Sequence, residues 1–225
     1  VSIEPENQGS FNAGTFQYAF QLFDSETQKS IGEKDLVETH TKILHFVAYD
    51  SSRNEFNHVH PEFNGKIWSV DLTFGTNGTY FFWAQGQLND GTEFSTFTKA
   101  VIVNGKPALP VVKLEEKRKA TDGATTLEMD KTKLKVGVMA MINYKVTRED
   151  GLKPELTPYL AAPAHVIAVS PDGDELIHVH PMAGSSPNSG MIHATFPSEG
   201  DYRIWVQLVD RGELKTIPLA VSVSK

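Results

Sequence analysis

The chain has 225 residues, of which 40% are hydrophobic and 22% charged, and this length and composition suit two folded domains of about 100–120 residues each. A net charge of −7 excludes the broad basic surface that nucleic-acid binding needs, so no nucleic-acid partner is expected. The chain has no cysteine, which excludes disulfides, thiolate metal ligands and a cysteine nucleophile.

Short segments rich in β-branched and aromatic residues occupy the first half of the chain, separated by turn-forming sequences such as "SSRN" and "GTNG". This pattern predicts strands at 41–50, 56–63, 66–74, 79–88 and 97–103. In the third of these segments, large apolar residues alternate with Ser69, Asp71 and Thr73. One face of that strand is therefore expected to join a core, with Asp71 on the wet face.

The first two predicted strands are expected to form a hairpin. The first strand contains His45, and the second contains His58 and His60. If the loop between the strands preserves an even register, all three side chains share one face, with paired β-carbons about 4.5–5.5 Å apart. Imidazoles at that spacing can reach a single ion. The sequence predicts a metal site at the protein surface, with Asp71 or His40 as the fourth ligand.

A proline-containing, mixed-charge segment from Asn104 to Thr126 separates this unit from a second copy. We place the boundary near residue 108, which predicts domains at 1–107 and 108–225. The first hairpin recurs with a constant shift of 120 residues, and "GTYFFWAQ" recurs as "GDYRIWVQ". The chain is therefore a tandem duplication. The matched residues include His45, His58, His60 and Pro61 in the first copy, and His165, His178, His180 and Pro181 in the second.

The second copy predicts an equivalent site, formed by His165, His178 and His180 with His193 as the fourth ligand. The two predicted clusters together contain all eight histidines of the chain. Imidazole and carboxylate ligands without thiolate suit Zn(II), Cu(II) or Ni(II), so a copper or zinc ion is the expected cofactor. Met182 offers a soft ligand for Cu(I) but, taken as a lone methionine, it is interpreted as incidental.

Several short strands in each stretch of about 110 residues, without a long helical period, predict an all-β fold. The expected architecture is two tandem antiparallel β-sandwiches of immunoglobulin or cupredoxin type. The apolar runs are all much shorter than the roughly 20 residues of a membrane-spanning helix, so no transmembrane segment is expected.

The sequence contains no nucleophile elbow, phosphate-binding loop, dinucleotide fingerprint or zinc-protease motif, which argues against an enzyme. A structural interpretation of the histidines competes with metal binding. Imidazoles can brace a hairpin by hydrogen bonding to backbone carbonyls, and the protein would then be a structural or adhesive envelope module without metal. Both interpretations remain open from the residues alone.

The spacing His40-x4-His45, then His58-x-His60-Pro61, then Gly78-x-Tyr80 resembles bacterial extracytoplasmic β-sandwich modules of unassigned function. The second copy matches from His165 onward, but Leu160 stands where the first copy has His40.

This resemblance implies a periplasmic or secreted protein, and an envelope protein is a further expected partner. Some modules of this kind are suspected of handling copper or other heavy metals, but the resemblance adds the compartment and not the chemistry. The chain begins at Val1 without a leader sequence, which fits either a processed export signal or a trimmed boundary.

Overall fold

The computed structural model describes residues 1–7, 9–39, 41–179 and 181–225. These form two compact units, Val1–Val112 and Lys113–Lys225, which we call module 1 and module 2. The boundary expected from the sequence, near residue 108, stays a prediction of where the repeated unit begins.

Module 1 consists of short and medium-length strands with one turn of 3-10 helix at Glu33–Asp35. The strands are β1 (Ser2–Pro5), β2 (Ser10–Asn12), β3 (Gly14–Phe23), β4 (Ser30–Ile31), β5 (Leu36–Val37), β6 (Leu44–Asp50), β7 (Phe56–Val59), β8 (Glu62–Phe63), β9 (Trp68–Phe74), β10 (Gly78–Leu88) and β11 (Glu93–Val103).

The strands of module 1 form two sheets, one in the order β1-β3-β9-β8 with β4 beside β3, the other in the order β2-β11-β10-β6-β7 with β5 beside β10. Alternate residues of both sheets meet in one apolar core. Trp68, Val70, Leu72 and Phe74 of β9 are buried in it, as their period-two spacing predicts. From the other sheet, β6 contributes Phe46.

Module 2 repeats this plan. Its strands are β12 (Lys119–Asp122), β13 (Thr125–Met129), β14 (Leu134–Lys135), β15 (Met139–Arg148), β16 (Leu156–Thr157), β17 (His165–Val169), β18 (Leu176–Val179), β19 (Met182–Ala183), β20 (Ser189–Thr195), β21 (Gly200–Asp210) and β22 (Glu213–Ser224).

In module 2, one sheet has the order β12-β13-β15-β20-β19, and the other has the order β14-β22-β21-β17-β18 with β16 beside β21. A second apolar core, separate from that of module 1, lies between them. The prediction of an all-β fold with two tandem, largely antiparallel β-sandwiches is therefore confirmed.

One predicted strand is wrong. The segment 56–63 is two strands in two different sheets, since β7 pairs with β6 whereas β8 pairs with β9. The chain crosses between the sheets at residues 60–61. Pro61 has no backbone N–H to donate to a ladder, which explains why the strand ends there.

The repeated Gly-x-Tyr motif is a tyrosine corner in both modules. The Tyr80 hydroxyl lies 3.0 Å from the carbonyl oxygen of Thr76, and the Tyr202 hydroxyl donates to the carbonyl of Ser198 (3.1 Å). The glycine that begins each motif, Gly78 in the first, has a positive φ that L side chains rarely adopt (+136° in module 1).

Across the described residues, the structure contains no helix with the length and apolar character of a membrane span.

Candidate metal centre

The hairpin of β6 and β7 brings the histidines of module 1 onto one face of the sheet. Val47 pairs with His58, which places His58 on the same face as His45, and His60 follows β7 directly with its Nε2 3.3 Å from Nδ1 of His45. Phe46 belongs to the core between the sheets, so the imidazoles project from the opposite, outer face. The strand pairing therefore places these histidine side chains on the same face, as the metal-site prediction requires.

Among the described histidines of module 1, the rings of His58 and His60 converge on the Nδ1 atom of His45. This atom lies 3.4 Å from Nε2 of His58 and 3.3 Å from Nε2 of His60. The ring centroids of His58 and His60 are 5.1 Å apart, so these two rings are also neighbours. Nδ1 of His45 therefore has a ring nitrogen of each of two other histidines within 3.4 Å.

A contact of the other ring nitrogen of His45, Nε2, determines which of the two nitrogens carries the ring proton. Its Nε2 lies 3.2 Å from the carbonyl oxygen of Thr39. A carbonyl oxygen only accepts hydrogen bonds, so Nε2 is protonated and donates. In the neutral ring Nδ1 then carries a lone pair, and this lone pair is directed at the other two imidazoles. Such a fixed tautomer is characteristic of metal-binding histidines.

The nitrogen–nitrogen distances fit shared coordination better than a hydrogen bond. A hydrogen bond donated by nitrogen usually spans about 2.7–3.2 Å, and one lone pair cannot accept well from two rings at once. Two nitrogens bound to one tetrahedral zinc ion at about 2.0–2.1 Å are separated by about 3.3–3.4 Å. The observed 3.3 and 3.4 Å match that separation for the two nitrogen pairs that include Nδ1 of His45.

Module 2 has the same contacts at His165 and His178. Nδ1 of His165 lies 3.3 Å from Nε2 of His178, and Nε2 of His165 lies 3.0 Å from the carbonyl oxygen of Tyr159. The ring of Tyr159 contacts that of His165 edge-on, with centroids 5.2 Å apart. The fixed tautomer and the nitrogen–nitrogen spacing are therefore properties of both copies.

The predicted exposure of these clusters holds only in part, because His60 and His178 are half-buried and the other histidines of these clusters that the structure describes are buried. His45 and His58 are only 3% and 5% exposed, and His165 is fully buried. The error arises because β6 is apolar on both faces: Val47 and Tyr49, which alternate with the core residues, are also buried. A strand that is apolar on both faces has no wet face on which a polar residue would be exposed.

The fourth ligands proposed from the sequence do not join these clusters. Asp71 lies on β9 opposite Gln17, and His193 lies on β20 opposite Met141. Both strands belong to the other sheet of their module, and both side chains project away from the core. His40 and His180, the remaining predicted ligands, lie outside the described residues.

The backbone carbonyls of Thr39 and Tyr159 are the functional groups that sequence reasoning missed. Each lies six residues before the histidine whose ring proton it accepts. A carbonyl is present at every residue, so residue type carries no signal for this role. The equal spacing in the two copies is the only hint in the sequence.

Solved structures that are similar to this chain include fibronectin(III)-like modules of Clostridium thermocellum CbhA, with 15% identity, a TM-score of 0.26, and coverage of 98% of this chain and 92% of that one. The Escherichia coli adhesin FdeC shows 13% identity and a TM-score of 0.30, with 99% of this chain and 63% of the adhesin covered. The Yersinia pseudotuberculosis adhesin InvE shows 12% identity and a TM-score of 0.27, with 97% of this chain and 57% of the adhesin covered. The chain thus spans less than two thirds of either adhesin.

No curated protein matches the sequence significantly. The model of one family, described as a domain of unknown function (DUF8832), matches residues 10–102 and again residues 119–225. These two matches correspond to the two sandwiches and cover most of the chain. The chain therefore belongs to the DUF8832 family and contains two copies of its domain.

Proposed function

We propose that module 1 binds a divalent transition-metal ion, zinc or copper, through His45, His58 and His60. Module 2 provides an equivalent site that includes His165 and His178. The protein serves to sequester or deliver this ion outside the cytoplasm, and its role is binding rather than catalysis. The proposed location rests on the His-x-His-Pro resemblance described above, and an envelope protein that exchanges metal with the chain remains a predicted partner.

One observation carries this proposal: Nδ1 of His45 lies 3.4 and 3.3 Å from the Nε2 atoms of His58 and His60, while Nε2 of the same ring donates to Thr39. The backbone hydrogen bond fixes the ligand tautomer, and the two distances are those of ligands on one tetrahedral ion. The recurrence of both features in module 2 supports the assignment.

The ligand chemistry favours zinc and copper over harder ions. Neutral imidazoles are strong ligands for Zn(II) and Cu(II) and poor ones for Mg(II) or Ca(II), which prefer oxygen. Three histidines with one remaining position form a known zinc arrangement, in which water or a partner's group takes the fourth position. A position left open in this way also suits the transfer of an ion to another protein.

The structural interpretation has its own supporting observation. In each module, a hydrogen bond from the first histidine joins the sheet to the preceding turn, at Thr39 in module 1 and at Tyr159 in module 2. This bracing accounts for one nitrogen of His45 and one of His165. It does not account for the convergence of His58 and His60 on the other nitrogen of His45.

The test is to purify the chain without a histidine tag, measure its metal content, and titrate it with Zn(II) and with Cu(II). The proposal predicts one to two tightly bound ions per chain. Replacing His58 and His60 together by glutamine should remove the ion of module 1. His193→Gln is the matched control for zinc, because His193 lies on the other sheet. If micromolar metal does not bind, the structural interpretation is correct for both modules. If the double variant binds as many ions as the wild type, it is correct for module 1.

A further inference from the structure

Methionines are concentrated on one face of module 2. The chain has five methionines, and Met129 is buried in the core. The other four lie on the outer face of the sheet that contains β15, β20 and β19. Three of these are more than half exposed to solvent. The four are Met139, Met141, Met182 and Met191.

The strand register brings these side chains together around His193. Met141 pairs with His193 across β15 and β20, and Met182 pairs with Met191 across β19 and β20. Residues that pair in this way have β-carbons about 4.5–5.5 Å apart, and the diagonal neighbours are within reach of long side chains. Nε2 of His193 lies 2.9 Å from Sδ of Met191. Two possible metal ligands, an imidazole nitrogen and a thioether sulfur, are therefore adjacent on this face.

Module 1 shows that the fold does not require methionine at these positions. In module 1, Gln17 pairs with Asp71, and Ser69 pairs with Glu62. Gln17 and Asp71 stand at the positions equivalent to Met141 and His193 of module 2. Ser69 and Glu62 stand at the positions equivalent to Met191 and Met182. Exposed methionines place apolar surface in water, which costs free energy unless the side chains have another role.

We propose that this methionine face binds a monovalent copper ion, Cu(I), with Met141, Met191 and His193 as ligands and Met182 as a further thioether within reach. Soft thioethers favour Cu(I) over Zn(II) and harder ions. The methionine side chain has three rotatable bonds, which allow sulfurs from adjacent strands to converge on one ion. The site lies on the opposite sheet of module 2 from His165 and does not depend on the proposed imidazole centres.

The sequence treats Met182 as an isolated methionine after the second His-x-His-Pro motif. In the structure Met182 has a methionine neighbour, because Met182 and Met191 are nine residues apart in the chain but are direct partners across two strands. Met141 approaches from a third strand. These three methionines lie on separate strands and become neighbours only through strand pairing, so no local motif could have identified them.

The experiment is an anaerobic competition titration of the full chain with Cu(I) and a chromophoric Cu(I) chelator. The wild type should retain one Cu(I) ion, and copper X-ray absorption should show sulfur neighbours. The double variant Met141→Gln with Met191→Ser carries the residues that module 1 has at these registers. It should bind Cu(I) at least tenfold more weakly and lose the sulfur scattering, while its Zn(II) binding remains unchanged.

Two further variants complete the test. Met141→Leu with Met191→Leu removes both sulfurs with little change in side-chain volume, so it decides the outcome if the first variant does not fold. Met129→Leu, in the core, is the control that should retain Cu(I) binding. The proposal is overturned if the wild type fails to retain Cu(I) against the chelator. It is equally overturned if the folded double variants bind Cu(I) as tightly as the wild type.

Discussion

At His45 the two ring nitrogens have different roles, and this separation is the basis of the proposed metal centre. Nε2 bonds to the carbonyl of Thr39, whereas Nδ1 faces His58 and His60. The sequence predicted that the three residues would share a face, because their parity on two antiparallel strands follows from counting. It could not predict the tautomer, which depends on where a backbone carbonyl lies.

Replacing His45 by glutamine separates the two roles of its side chain. The glutamine amide Nε2 can still donate to Thr39, but no lone-pair nitrogen remains where Nδ1 was. We expect Zn(II) affinity to fall at least tenfold while the melting temperature changes little. Titration calorimetry and thermal melting measure the two effects. Unchanged zinc binding together with a large loss of stability would show that the ring only braces the turn.

Acid should weaken binding at the imidazole centres. A ligand imidazole must be neutral, and a free imidazole has a pKa of about 6.5, so protons compete with the metal. We expect Zn(II) affinity to decrease steeply below about pH 6. Titrations at several pH values measure this decrease. Binding that is independent of pH between 5 and 7 would indicate carboxylate ligands and would argue against the histidines.

Asp210 is a buried acidic residue in module 2 whose carboxylate joins the two sheets. It accepts hydrogen bonds from the Thr125 hydroxyl (2.7 Å), the Glu155 amide (2.9 Å) and the Arg148 guanidinium (2.7 Å). Burial by itself would raise the pKa of Asp210, but these hydrogen bonds outweigh it and lower the pKa below its usual value.

The lowered pKa has a consequence for stability in acid. The carboxylate stays charged in the folded state at pH values where the unfolded chain has begun to bind a proton. The stabilisation is therefore complete above the unfolded pKa of about 3.9 and is lost as pH falls through the lower folded value. We expect Asp210→Asn to lose about 2–4 kcal/mol at pH 7.

The same variant should lose less stability than the wild type between pH 5 and pH 2. Urea unfolding of both proteins at several pH values measures this difference. Parallel pH profiles for the two proteins would contradict the assigned role of Asp210.

At the scale of elements, period-two alternation predicted the strand faces well wherever one side of a strand is polar. This held for β9, where Trp68 is buried and Asp71 is exposed. It failed for β6, which is apolar on both faces, and at Pro61, where the chain leaves one sheet for the other. A strand face that is covered by other residues and a chain that changes sheet produce no repeating residue pattern. Neither feature could therefore be predicted from the local sequence.

Glu55 ties the histidine hairpin to the turn before β10. Its carboxylate accepts hydrogen bonds from the amide of Gly75 (3.0 Å) and from the hydroxyl of Tyr80 (2.5 Å). Glu55→Gln places an amide N–H group against these donors. We expect a loss of about 1–3 kcal/mol in unfolding free energy. Denaturant unfolding measures the loss, and Glu62→Gln, on exposed β8, is the control that should change little.

At the scale of the whole molecule, the duplication was visible in the sequence as a constant shift of 120 residues. It also predicted two sandwiches, because each copy contains enough strands for one. Each module has its own core, with Phe46 and Trp68 in the first and Val166 and Ile192 in the second. The methionine face could not be predicted, because its residues come from three strands of one copy and have no counterparts in the other.

Separate cores predict separate folding. We expect the fragments Val1–Val112 and Lys113–Lys225 each to give a cooperative melting transition and a β-sheet circular dichroism spectrum. The first fragment should bind Zn(II), and the second should bind Cu(I) on its methionine face. Fragments that stay unfolded would show that the modules are not independent domains.

The central claim is that the imidazoles of β6 and β7 bind one ion. Anomalous X-ray diffraction from crystals of the zinc-loaded full chain tests it most directly. A zinc peak is expected at about 2.0–2.1 Å from Nδ1 of His45 and from Nε2 of His58 and of His60. Well-ordered rings in this arrangement with no zinc peak between them, at saturating zinc, would show that these imidazoles do not share an ion.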